Sequence, residues 1–353
     1  MAREGGEVLH GVNLSGWLVL EPWVTPELFA GTGSLGEATL VAALGDELYA
    51  DLVCEHREAF VTERDFEQIA SRGHNAVRLP VPWYAFGGQG PNPGPYVGCI
   101  MHVDDALVWA ERHGVKVLLS LAISPGAQGE EDVLSTGESG HREDVLTVLA
   151  ALANRYADWP AFFGIEVADE PVAQRRHGLS ITDGVPLHVL RNYYRDAYEA
   201  IRDRAGEAPV IVFPDAGVPS AWRSFMAPKR YQNVWLDCHL DKPSAIMADM
   251  GYAAGANTLG LRHIMAAIHR HIREDQKSGL PVMVGKWSSA LPIADAAMTP
   301  EGRVALERIY SSEQLTAYEK LPAWFFQTWK TTGRLSSWDA RVALSSFERG
   351  LIC

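Results

Sequence analysis

The feature that most restricts this chain is an alternation. Short runs rich in β-branched and other apolar residues recur at 8–14, 75–79, 115–121, 162–168, 209–213, 234–239, 281–285 and 323–328. Longer stretches with helical spacing lie between them. The stretch 62–72 carries Thr62 and Asp65 near its first turn, and 102–113, 187–205 and 258–278 are each followed by a glycine, at Gly114, Gly206 and Gly279. An oxygen-bearing side chain caps a helix N-terminus, and glycine takes the left-handed turn that ends one. Strand and helix in alternation give parallel strands, since a parallel neighbour is reached only through a crossover. Eight such units predict an α/β chain closed as a single (β/α)8 barrel, one domain over 1–353. No linker, internal repeat or low-complexity tract interrupts the pattern.

Composition narrows the function classes. Apolar residues make up 47% of the chain and charged residues 21%, enough for a sizeable core and unlike a disordered chain. The net charge of −13 disfavours nucleic acid and anionic membranes as partners, because phosphate needs basic patches. No apolar run approaches the roughly 20 residues of a membrane helix. The opening residues 1–7 hold no apolar leader, so the expected location is the cytoplasm. Cys54, Cys99, Cys238 and Cys353 are irregularly spaced, with no C-x-x-C pair, which reads as reduced thiols rather than a zinc site or a disulfide framework. His263, His269 and His271 are spaced by six and two, so they do not share one helical face, and no metal is expected. No phosphate-binding glycine loop, dinucleotide fingerprint or serine-nucleophile elbow is present, and no cofactor is expected.

In a barrel of this kind the chemistry sits at the C-terminal ends of the strands. Two loops fall there, the Gly/Pro-rich 87–95 after the second strand and the polar 126–140 after the third. The second strand carries Arg78, the fourth runs into Asp169-Glu170-Pro171, the sixth into Asp237-Cys238-His239-Leu240-Asp241 and the seventh into Lys286-Trp287. Charge at several strand ends is costly unless it is paired or used. The plain reading is an ion-pair network that closes the barrel. The functional reading is an active site for a small-molecule substrate. Trp17, Trp23, Trp83, Trp287, Trp324 and Trp329 lie at or just beyond the same strands. Such rings serve either as core or as stacking faces for sugars and other rigid rings.

The segments Gly11-Val12-Asn13-Leu14-Ser15-Gly16-Trp17 and Leu20-Glu21-Pro22-Trp23 are followed in order by other specific ones. These are Phe60-Val61-Thr62-Glu63-Arg64-Asp65-Phe66, Asn75-Ala76-Val77-Arg78-Leu79-Pro80, Pro125-Gly126-Ala127-Gln128, Asp169-Glu170-Pro171, Leu236-Asp237-Cys238-His239, Val284-Gly285-Lys286-Trp287-Ser288 and Trp329-Lys330-Thr331. Together they closely resemble the fungal exo-β-1,3-glucanases of glycoside hydrolase family 5, over nearly the whole chain. The resemblance implies a glycoside-hydrolase-like (β/α)8 barrel and hydrolysis of β-glucosidic bonds with retention. That mechanism needs two carboxyl groups roughly 5–5.5 Å apart. By the resemblance Glu170 matches the acid/base, and Glu21, Arg78, His239 and Trp329 match further site residues.

The chemistry-bearing positions depart from the family pattern. The family's Gly-Glu-Trp nucleophile motif reads Gly285-Lys286-Trp287 here, and an ammonium cannot form a glycosyl ester. A cation beside Glu170 also favours its ionised form, the wrong state for a general acid. The Asn before the acid/base is Asp169, the third-strand His is Ala122, and the Tyr after the matched His239 is Asp241. These replacements lead to the expectation of a repurposed barrel enzyme. Glu170 would be its acid/base and Lys286 an electrostatic or hydrogen-bond group, acting on a small molecule of the secondary-metabolite kind with Asp169, Asp241 and His239. Trp17, Trp83, Trp287, Trp329, Glu21 and Arg78 would bind the substrate. A charged Lys286 is preferred to a neutral amine forming a Schiff base, because the acids around it hold its proton. One alternative is a non-catalytic β-glucan-binding or glycoside-binding pseudoenzyme. Another is a glucosidase working by inversion, with Asp241 rather than Asp169 as base, because neighbours on a strand point to opposite faces.

Overall fold

The computed structural model describes residues 8–91, 94–123, 139–177, 180–241, 258–291, 299–333, 335–345 and 347. Eight parallel strands close into a barrel: β1 (Leu9–Asn13), β2 (Ala76–Pro82), β3 (Lys116–Ile123), β4 (Phe162–Glu166), β5 (Val210–Pro214), β6 (Val234–His239), β7 (Val282–Trp287) and β8 (Ala323–Phe326). Each strand pairs with the next, and β1 closes the ring by pairing Leu9 with Ala323 and Gly11 with Ala76. All eight strands fall where the β-branched runs put them, with ends moved by a few residues. The four expected helices are α3 (Glu63–Ser71), α4 (Ile100–His113), α6 (Leu187–Ala205) and α7 (Thr258–Gln276). Thr62 and Asp65 cap α3 reciprocally, and Gly114 ends α4 in the left-handed region at φ 67°. Among the described residues the longer remaining helices are α1 (Glu37–Leu44), α2 (Asp46–Phe60), α5 (Ser139–Tyr156) and α8 (Pro300–Tyr318). A two-residue antiparallel hairpin, Arg176–His177 against Ser180–Ile181, follows β4. The loop expected over 126–140 and the Pro125–Gln128 motif lie outside the described residues, apart from positions 139–140 at the start of α5.

The strand alternation sorts side chains into two cores. Val12, Leu14, Val77, Leu79, Val117, Leu119, Ile165, Val167, Ile211, Leu236, Val282 and Val284 are all buried in the layer between barrel and helices. Burying each such side chain contributes about 1.5–3 kcal/mol. The opposite parity gives Leu9, Ala76, Leu118, Val210, Val212, Met283, Ala323 and Phe325, a second apolar cluster inside the barrel. Further along the same inward rows stand Asn13, Arg78, Ser120, Glu166 and Asp237, all buried and polar. The lumen is therefore apolar at one end and charged at the other. No helix among the described residues is long and apolar enough to cross a membrane.

Candidate active site

Arg78 is the centre of the charged end. Its side chain has no exposure, and it is placed by β2 so that every neighbouring strand can reach it. Its Nε donates to Glu166 Oε2 at 2.6 Å, Nη1 to Asn13 Oδ1 at 3.0 Å, and Nη2 to Ser120 Oγ at 2.9 Å and Asp169 Oδ1 at 2.7 Å. Burial lowers the guanidinium's proton affinity, but Glu166 and Asp169 outweigh it and hold the cation firmly. Burial likewise raises the Glu166 carboxyl, yet Arg78 and His239 reverse this and keep it well below the usual carboxylate range.

A second arm of the floor runs through β6 and β7. Asp237 Oδ1 accepts the Gly285 N–H at 2.5 Å, and its Oδ2 lies 3.0 Å from His239 Nε2. A Cβ on Gly285 would sit 1.9 Å from Asp237 Oδ2, so the strand must carry glycine for the carboxyl to pack against it. Burial pushes the Asp237 carboxyl up to about 7, with His239 opposing and Glu166 adding to the shift. For His239 burial acts in the lowering direction, but its neighbours Asp237, Glu166 and Glu170 raise its pKa well above the usual imidazole value. Its Nδ1 is 3.6 Å from Glu170 Oε1 and 3.9 Å from Asp169 Oδ1.

Lys286 lies above this floor, at the end of β7. Its Nζ donates to Asp169 Oδ2 at 2.9 Å and to Glu170 Oε1 at 3.1 Å. Desolvation lowers its pKa, but Asp169, Glu170 and Asp241 together raise it above the ordinary lysine value, so it is an ammonium. Asp169 Oδ1 also lies 2.8 Å from the same Nζ, so the ammonium faces three carboxylate oxygens. Asp241 is buried just past β6, where the Leu240 N–H donates to the Lys286 carbonyl at 2.7 Å. Glu21 accepts from the Gly16 N–H at 3.2 Å and from the Trp23 indole at 2.8 Å. Burial raises its carboxyl, and the field of Lys286 opposes that.

One expectation about geometry fails. Asp169 and Glu170 do not point to opposite faces but meet on the same ammonium. The strand ends at Glu166, and Glu170 has a φ of 47°, so the two-residue period no longer applies when the chain reaches them. The argument that preferred Asp241 over Asp169 as a base therefore loses its ground. The tryptophans are also placed differently from open stacking faces. Trp17 has no exposure, stacks on Trp109 at 6.2 Å and donates to the Arg57 carbonyl at 2.8 Å. Trp287 is equally buried, edge-on to Trp324, Phe326 and Tyr318. Trp329 gives its N–H to Asp65 Oδ1 at 2.9 Å, and Trp83 packs edge-on to Tyr84. All four rings are core in this structure, where their large apolar area packs against the barrel wall; the Trp17 and Trp329 N–H groups are paired, and that of Trp287 is buried without a partner among the described residues.

Four floor residues were not assigned from sequence: Asn13, Ser120, Glu166 and Asp237. Glu166 left one usable signal, a lone charge closing an otherwise apolar strand, which is tolerated only beside a buried partner. Glu166, Asp169 and His239 have donor atoms within 4.8 Å of one another, close enough for a cation. Arg78 and Lys286 already supply positive charge there, so the set suits a cationic side chain better than a metal. Chemically, the arrangement offers a carboxylate, Glu170, that can take up a proton, next to a fixed ammonium that can bind an oxygen.

A family model for cellulase (glycosyl hydrolase family 5) matches residues 51–300. Probable glucan 1,3-beta-glucosidase A of Emericella nidulans is 30% identical, the alignment covering 96% of this chain and 89% of the relative. The protein of the same name from Aspergillus niger is 31% identical over 96% of this chain and 86% of its own. Among solved structures, rutinosidase from Aspergillus niger superposes with a TM-score of 0.71 at 16% identity, covering 98% of this chain and 97% of that one. Cel5A of Thermotoga maritima in complex with cellobiose gives 0.59 at 16%, covering 94% and 92%. At such identities the structural likeness speaks for the barrel fold.

Proposed function

We propose, for a chain that belongs to glycosyl hydrolase family 5, a reaction other than retaining hydrolysis, carried out on a small oxygen-bearing molecule at the barrel mouth. The observation that carries this reading is the ammonium of Lys286, fixed between the carboxylates of Asp169 and Glu170 at the end of β7. By the resemblance, this ammonium stands where relatives keep their nucleophilic carboxylate. It cannot form a glycosyl ester. It can hold an oxygen on which negative charge develops, the preorganised stabilisation that contributes most in a water-poor site.

Glu170 is the acid/base of this scheme. Its carboxylate takes a proton from the substrate and returns it at another atom, while Lys286 donates a hydrogen bond to the substrate oxygen. No atom is gained or lost overall, so the reaction is an isomerisation, a cyclisation or a related rearrangement, as in secondary metabolism. Glu21, Asp241 and His239 surround the ammonium and shape the polar side of the pocket.

The test is turnover of aryl β-glucosides and β-1,3-linked oligosaccharides, read by product mass, with the wild type run beside Lys286→Glu. Neither protein is expected to release glucose. Release by the wild type above contaminating glycosidase would sink the proposal and restore hydrolysis, by an inverting route. Activity gained by Lys286→Glu alone would also count against it, since a sugar pocket that persists behind the lysine fits a glycoside-binding pseudoenzyme instead.

A further inference from the structure

A second buried cluster of donors lies outside the barrel mouth. Asp215 follows β5, and its N–H donates to the Asp237 carbonyl at 2.8 Å while its Oδ1 accepts from the Gly217 N–H at 2.8 Å. Its other oxygen, Oδ2, meets His271 Nε2 on α7. Asp275 is four residues further along α7, so it shares that helix face, and its Oδ2 is 3.5 Å from the same Nε2. The side chains of His271, Asp215 and Asp275 are 10%, 6% and 0% exposed. Their donor atoms all lie within 4.8 Å of one another.

Asp275 is the telling member. Both of its carboxylate oxygens are buried, and neither has a hydrogen-bond partner among the described residues. A carboxylate taken out of water in that way is strongly unfavourable unless a cation compensates it. On the outer side of α7, Glu274 pairs with Arg223 and with Lys277. From the barrel wall His239 favours the charged form of Asp215, while Asp237 and the Cys238 thiol, which bring no positive charge, are the wall groups within reach of Asp275.

We propose that Asp215, His271 and Asp275 bind one divalent first-row transition cation between the barrel wall and α7. Two carboxylates and a neutral imidazole carry the charge that a dication cancels. The donor set fits zinc or manganese. Magnesium keeps several waters and calcium takes six to eight oxygens, which a buried set with one nitrogen does not offer. The site joins α7 to the end of β5, next to the strand that carries Asp237 and His239, and its role is to fix the helix to the barrel. It stands independently of the chemistry at the mouth.

The experiment uses the full chain, stripped with a chelator and dialysed against zinc and, separately, manganese. Bound metal is counted by mass spectrometry, and thermal unfolding is followed with and without it. One equivalent of metal and a raised melting temperature are expected for the wild type. Asp275→Asn keeps the shape of the side chain and removes its charge. It should fold without metal, by circular dichroism, yet bind roughly tenfold more weakly or worse, as should His271→Ala. His239→Ala should still bind one equivalent. A stripped wild type that takes up no metal overturns the proposal and leaves an imidazole bridging two carboxyl groups, one of them protonated. Binding that survives Asp275→Asn and vanishes in His239→Ala overturns it as well, by moving the metal to the mouth.

Discussion

Arg78 and Lys286 are both cations bound to Asp169, but they sit at two depths of the same lumen. Arg78 has no exposed side-chain surface, and its nitrogens are engaged by Glu166, Asn13, Ser120 and Asp169. Lys286 has two carboxylate partners, one of which, Glu170, is 33% exposed. The floor is thus over-determined: three strands and the segment after β4 converge on one guanidinium, and Glu166 has no other charge compensation of that strength among the described residues. The rim is less tightly determined: Glu170 is 33% exposed, and Asp169 is already held by Arg78. Burial separates a charge that keeps the barrel together from a charge that can meet a ligand.

The largest expected effect follows from the floor. Arg78→Leu leaves Glu166 sealed in the barrel with His239 as its remaining cationic neighbour, its Oε1 3.6 Å from that ring. Breaking a fully buried pair by removing one partner costs about 3–5 kcal/mol. Urea unfolding of the two proteins measures this directly. A loss under about 1 kcal/mol would mean that the floor relaxes or hydrates, and the contrast between floor and rim would collapse.

The same contrast explains what was legible in the sequence. The wall of the barrel was readable, because β-branched runs with period two mark strands and Gly114, Gly206 and Gly279 follow the ends of α4, α6 and α7. Val12, Val77, Ile165 and Val284 lie in the core for the reason their pattern gives. The mouth was readable as a list of charged strand ends and through the family resemblance, but its connections were not. Glu166 and Arg78 are 88 residues apart and meet only because β2 and β4 flank β3 in the closed sheet. Glu170 escaped the alternation rule because its backbone leaves the strand in a left-handed conformation. His271 was weighed against the other histidines of its helix, whereas its partner Asp215 comes from the end of β5. The tryptophans misled because a ring near a strand end serves core packing as readily as a binding face.

A smaller effect comes from pH, and it too belongs to the floor. The Asp237 carboxyl is raised from 3.8 to about 7 in the folded chain. Between those values the folded state holds a proton that the unfolded state has lost. The stability from that proton is full below about pH 4 and disappears as pH rises through about 7. His239, also raised, adds a decline of the same sign at higher pH, and Glu166, which is lowered, contributes a loss only on the acid side. Thermal unfolding of the wild type should therefore weaken from about pH 5 to about pH 8 more than that of Asp237→Asn, which has no proton to lose. Parallel curves for the two proteins would show that Asp237 does not carry the effect.

The rim provides the smallest change in stability and the sharpest test of the comparison. Lys286→Gln keeps length and hydrogen-bonding capacity but removes the positive charge. Asp169 retains Arg78 at 2.7 Å, and Glu170 turns its exposed third to water. The Lys286 side chain is 8% exposed while Glu170 is 33% exposed, so the lost pair stands between a sealed one, whose breaking costs about 3–5 kcal/mol, and an exposed one, worth about 0–1 kcal/mol. Unfolding should therefore move by about 1–3 kcal/mol, less than in Arg78→Leu. A loss equal to that of Arg78→Leu would make Lys286 a brace that closes the barrel, and the reading of its ammonium as a ligand-binding group would fall with it. A smaller loss is what the geometry requires of a cation whose second acid, Glu170, reaches water. In that case the cost of Lys286→Gln should show in ligand affinity or turnover, because the ammonium then acts on what enters the mouth as well as on the barrel that surrounds it.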